Sequence, residues 1–108
     1  MIDWTHVAEL RSDMGESFDE VVAVFLDEVE EGIARLDSGS DGEVLAADLH
    51  FLKGAALNLG FRQFAGLCAS SENQASSGHA DEVDLDAVRA SYAASRVAFL
   101  EGLPKLAA

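Results

Sequence analysis

The sequence predicts an all-α protein, an antiparallel up-down four-helix bundle with a short additional N-terminal helix. Three observations point to it. Apolar residues recur at spacings of three and four along most of the chain, the period of a helix that buries one stripe. Alternating β-branched runs are absent, and the one proline, Pro104, lies near the C-terminus. Gly15, Gly39, Gly60 and Gly78 fall where helices would stop, and residues suited to start a new helix follow them.

The elements follow in order. A short first helix carries Val7, Leu10 and Met14, with Asp3 placed to cap it. "SFDE", Ser17 to Glu20, has the form of a capping box with Ser17 at N-cap and Glu20 at N3. It opens a second helix over about Phe18 to Asp37, with Phe18, Val22, Phe25, Val29, Ile33 and Leu36 on one stripe. The third helix runs roughly from Val44 to Leu59, with Asp41 as its cap, and the fourth roughly from Arg62 to Ser76. The fourth buries Phe64, Leu67, Cys68 and Ser71. "SGHADEVD", Ser77 to Asp84, is the longest expected loop. A fifth helix starts near Leu85, capped by Asp84, and aligns Leu85, Val88, Tyr92, Phe99 and Leu103. Short connections make neighbouring helices antiparallel. With 108 residues and no internal repeat, residues 1–108 read as one domain.

Composition narrows the function. The formal net charge is −13, from 7 basic and 20 acidic residues, which repels phosphate backbones and anionic lipids. Neither a nucleic-acid nor a membrane partner is expected. No basic n-region with an apolar h-region follows Met1, and no apolar run approaches the roughly 20 residues of a membrane span. A cytoplasmic, self-contained protein is expected. Cys68 is the single cysteine and can form no internal disulfide.

The stretch "ADLHFLKGAALNLGF", Ala47 to Phe61, sets a histidine in mid-helix and a glycine one turn on. Such a glycine costs about 0.5–1 kcal/mol relative to alanine. At about 100° per residue, Leu45, Leu49, Leu52, Ala56 and Leu59 cluster opposite His50 and must face the core. Val44, Phe51 and Ala55 widen that apolar arc on its other flank, and Asp48 falls inside it. His50 therefore points outward, among Glu43, Ala46, Ala47, Lys53, Gly54 and Leu57. The small Ala46, Ala47 and Gly54 leave the ring uncovered, and a larger residue at 54 would stand beside it. Lys53 can bring an ammonium to whatever the ring holds. The group suits a nucleophilic imidazole that carries an anionic group such as phosphoryl.

"HFLKGAALNLGF", His50 to Phe61, resembles the signature of histidine-containing phosphotransfer domains: His-x-Leu-Lys-Gly, a small residue at Ala56, then Gly60-Phe61. Chain length, helix count and the motif's place in the third helix agree with that family. The resemblance implies a carrier in a two-component phosphorelay, with His50 taking a phosphoryl group on Nε2 from a receiver aspartyl phosphate and passing it to another receiver. Lys53 would balance the charge, and Gly54 would admit the receiver's rim. Glu72, flanked by Asn73 and Gln74, stands where family members hold the ring's Nδ1. A carboxylate there would fix the tautomer and make the ring more basic and nucleophilic.

Other expectations complete the picture. Ala46, Ala47 and Leu57 are candidate docking residues, whereas Phe61 is assigned to the core. No Walker-type loop, Rossmann fingerprint or Glu-x-x-His pair occurs, so no cofactor or metal is expected on this chain. Mg²⁺ is expected on the partner receiver domain. The implied partners are response-regulator receiver domains and a sensor or hybrid histidine kinase. Two other readings stay open: the phosphoacceptor domain of a chemotaxis-type kinase, and a non-phosphorylated helical adaptor. The patch around His50 is too small to demand a dimer, so a monomer is expected. His6, Cys68 and His79 are read as structural or solvated residues.

Overall fold

A computed structural model describes residues 1–106, and among them the architecture is five α-helices. They are α1 (Trp4–Met14), α2 (Phe18–Arg35), α3 (Gly42–Asn58), α4 (Arg62–Ser76) and α5 (Leu85–Leu106). Helices α2 to α5 form a bundle with α1 packed on it, and the described chain is elongated, measuring 46 × 20 × 18 Å. The expected all-α bundle is therefore found.

Each helix forms where one face is apolar, and that face is buried. In α3, Leu45, Leu49, Leu52, Ala55 and Ala56 are buried, with Leu59 following at its cap. In α5, Leu85, Val88, Tyr92 and Phe99 line the core. Phe61, fully buried, packs edge-on against Phe99 at 5.2 Å between ring centroids, an arrangement that adds to its burial energy. Its assignment to the core was correct.

The helix starts hold two corrections, and the first is at α3, where Asp41 occupies the N-cap position but its side chain makes no cap bond. Asp3 Oδ1 accepts from the His6 N–H at 3.2 Å, and Asp84 Oδ1 accepts from the Ala87 N–H at 3.0 Å. Both cap as expected. Ser17 does not: it lies in a single 3₁₀ turn, Gly15–Ser17, with helical backbone and no side-chain cap bond. A hydroxyl can cap only where the chain enters the helix from an extended conformation, and the 3₁₀ turn removes that geometry. The segment expected to be a plain loop also contains a turn of 3₁₀ helix, Ala80–Glu82.

Two features hold α3 against its neighbours. Gly32 in α2 faces Leu52, and a Cβ there would come within 2.7 Å of Leu52 Cδ2. The glycine thus lets α2 and α3 approach closely. Between α3 and α4 the chain reverses at Gly60, whose φ of +74° favours glycine and where a Cβ would come within 2.9 Å of Asp3 O. A strap from the N-terminus ties this turn down: the Asp3 N–H donates to Gly60 O at 2.7 Å, and Ile2 bridges Phe61.

Candidate functional site

The site sits on the outer faces of α3 and α4, the most extensively packed pair of helices in the bundle. Burying the leucine stripe of α3 rotates His50 to the opposite side, where its side chain is 66% exposed. On α4, burial of Phe64, Cys68, Ser71 and Ala75 turns Glu72 toward the same edge. The two meet. His50 Nδ1–H donates to Glu72, 3.1 Å from Oε2 and 3.3 Å from Oε1. A carboxylate accepts only, so the contact puts the ring proton on Nδ1 and leaves the Nε2 lone pair toward solvent.

Lys53 completes a three-residue cluster. Its Nζ lies 3.4 Å from Glu72 Oε1, with the side chain 30% exposed. Glu72 thus bridges the two, one oxygen turned mainly to the ring and the other to the ammonium. Sequence reasoning placed each residue near His50 but missed the Lys53–Glu72 pair. A lysine at i+3 on α3 and a carboxylate on α4 share an edge only once the two helices are docked, and no spacing within one helix records that.

The surroundings are open on one side and apolar on the other. A Cβ built on Gly54 would meet nothing within 4 Å, so one turn from His50 the helix surface is bare. Ala47 is exposed, Ala46 is half-buried against the core, and Leu57 is 49% exposed. Val44 and Phe51, placed in the buried arc from sequence, are instead 52% and 41% exposed. The arc reaches only to Ala55 because α2 covers α3 along the line of Gly32, leaving residues on the His50 side of that line in solvent. Arg35 at the end of α2 lies over the Phe51 ring, 5.1 Å from its centroid. It also pairs with Asp48 at 4.0 Å, which accounts for an acid inside the apolar arc.

The other residues of interest lie elsewhere. His6 is not merely solvated: its Nε2 donates to the Asn58 carbonyl at 3.0 Å, using an acceptor left free at the end of α3. His79 is exposed and pairs with Glu82 at 3.1 Å. Cys68 is fully buried, and burial, helped by the negative charge of Glu72, pushes its thiol up to about 12. Among the described residues no three His, Cys, Asp or Glu side chains converge as a metal site would require. Among the same residues no helix is long and apolar enough to cross a membrane.

The bundle thus presents one carboxylate-held histidine to solvent, beside a lysine and a bare stretch of helix. The family model for the Hpt domain matches residues 20–98, and the chain belongs to that family. The matched span includes His50, Lys53, Gly54 and Glu72 and leaves α1 outside. Hpt domains serve histidine phosphotransfer in phosphorelays, where they interact with receiver domains and histidine kinases. Neither the curated proteins nor the solved structures compared with the chain returned a match.

Proposed function

We propose that this chain is a phosphocarrier whose His50 accepts a phosphoryl group on Nε2 from a receiver aspartyl phosphate and delivers it to a second receiver. The observation that carries the reading is the single contact from His50 Nδ1 to Glu72. It fixes the tautomer that leaves Nε2 free for attack. Glu72 holds the ring, Lys53 offsets the charge of the incoming group, and Gly54 leaves room for the receiver's rim.

The chain supplies no ATP site in this reading. Mg²⁺ is held by the acidic pocket of the receiver, where it balances the charge of the transferring phosphoryl. Docking is apolar: Ala46, Ala47 and Leu57 surround the ring, and the exposure of Val44 and Phe51 extends the same face toward α2. The protein acts as a monomer, since one exposed ring and its rim suffice for one receiver at a time.

The experiment mixes the chain with a phosphorylated receiver and Mg²⁺ and follows label by intact mass, with His50→Gln alongside. Acid-labile label that disappears in the variant is the expected outcome. Label persisting on the variant would place the acceptor elsewhere. Label arriving from a kinase ATP-binding domain, but from no receiver, would favour the kinase phosphoacceptor reading. Receiver binding without label from either donor would make the chain an adaptor.

A further inference from the structure

His50 has a cation on each side, and the transfer site accounts for only one of them. At about 100° per residue, Lys53 lies about 60° from His50 on the α4 side and Phe51 about 100° away on the α2 side. Between His50 and Phe51 on that projection stand only Ala47 and Gly54. Ala47 is exposed, and a Cβ at Gly54 would meet nothing within 4 Å. A clear lane about 10 Å long therefore runs round α3 from the imidazole to Phe51. It ends at Arg35 of α2, whose guanidinium lies over the Phe51 ring, 5.1 Å from its centroid.

Arg35 is held in place without being neutralised. Its Nε is 4.0 Å from Asp48 Oδ1, the longest ion pair among the described residues, and the side chain is 49% exposed. Glu31, one turn earlier on α2, forms no ion pair with it, and its terminal nitrogens donate to no protein group among the described residues. The arginines of α5 differ: Arg89 donates to Leu36 O and Asp86, and Arg96 to Glu30. A guanidinium laid on an aromatic ring has its stacking face covered and its N–H fork open at the edge. That fork takes a carboxylate through two parallel bonds.

We propose, resting on the phosphocarrier reading, that Arg35 on its Phe51 platform is a specificity-determining docking residue. It takes a carboxylate at the rim of the receiver that meets His50. Charge gives it this part. The chain carries −13, which repels a partner whose own pocket is acidic. Lys53 is engaged by Glu72, so Arg35 supplies the open cation at the edge of the contact. A receiver with a lysine or arginine at the same place is rejected by like charge.

The test takes a panel of receiver domains loaded with acetyl phosphate and Mg²⁺. Single-turnover transfer to the whole chain is measured against receiver concentration for the wild type, R35A, R35K and Phe51→Leu. Phosphoramidate, a small donor that needs no docking, is the control for the ring and the fold. For the receiver that the wild type uses best, R35A should raise the half-saturating concentration about fivefold, the upper end for a solvent-accessible ion pair. The saturated rate should hold. Salt dependence should flatten, and half-saturation should spread less across the panel. R35K keeps the charge without the fork and should leave most of the loss in place, and Phe51→Leu should lose in the same direction. Unchanged half-saturation in R35A, or full recovery in R35K, would overturn this inference alone. So would a loss of phosphoramidate labelling in R35A that matches its loss of transfer, since the role would then be structural. Label on His50 from phosphoramidate but from no receiver would overturn the receiver as partner and this inference with it. No label from any donor would overturn the phosphocarrier reading as well.

Discussion

Replacing Gly54 should move stability and transfer in opposite directions. The residue lies inside α3 with helical neighbours on both sides, and a Cβ there meets nothing within 4 Å. Nothing in the fold therefore requires glycine at this place. Alanine is better in a helix interior by about 0.5–1 kcal/mol, so Gly54→Ala should raise the melting temperature by about 2–4 °C for a domain of this size. Gly54→Gln should keep most of that gain, since glutamine trails alanine by only a few tenths of a kcal/mol. Its side chain, however, stands one turn from His50 where a receiver must approach. A steric cost of about 1.4 kcal/mol in docking corresponds to tenfold weaker association. Urea and thermal melts read the first effect, and single-turnover transfer from a phosphorylated receiver reads the second. Gly66→Ala serves as a control for stability, because a Cβ at Gly66 in α4 also meets nothing within 4 Å. A drop in melting temperature for Gly54→Ala would refute the account of the free helix surface. Transfer at the wild-type rate by a stabilised Gly54→Gln would refute the clearance role of the glycine.

Four more expectations concern the scaffold. Phe61→Ala, which empties a fully buried site between Tyr92 and Phe99, should cost about 3–5 kcal/mol in urea unfolding. Ser95 is fully buried and its Oγ has no hydrogen-bond partner among the described residues, so Ser95→Ala should stabilise by about 1 kcal/mol, and a loss would mean that the hydroxyl has a partner after all. His6→Ala removes the bond to the Asn58 carbonyl and should cost about 1 kcal/mol, with hydrogen exchange rising first at the end of α3. The Cys68 thiol is raised from 9.0 to about 12 by burial and then by Glu72. Its contribution is therefore complete below about pH 9 and is lost as pH rises toward 12, because only the unfolded chain ionises in that window. Cys68→Ala should flatten that alkaline decline, and native protein should resist a thiol reagent until it unfolds.

Helices were easy to see in this sequence because each carries its own punctuation and one apolar stripe. The bounds of α4, Arg62 and Ser76, match their expectation, and the buried leucines of α3 are those that the projection chose. What escaped the sequence lies between helices. Phe51 and Val44 are apolar, and only the line along which α2 covers α3 decides that they face water. His6 finds Asn58 through the packing of α1 on the end of α3, a pairing across 52 residues. The same limit applies at the site. The outward direction of His50 follows from its own helix, but the shared carboxylate of Glu72 depends on the rotation of α4 against α3.

The single tryptophan has an experimental consequence. Trp4 stacks on Phe99, its ring 5.9 Å away and 6° from parallel, and it also fills the space beside Gly102. Its fluorescence is thus an optical gauge of how α1 seats on α5, on helices other than those that bear His50 and Glu72. Emission should report loosening at the ends of the chain and stay silent when the imidazole changes its chemical state. Anyone watching phosphoryl traffic by intrinsic fluorescence would then need a second tryptophan, and Phe51, exposed and next to the ring in sequence, is the natural place to put it.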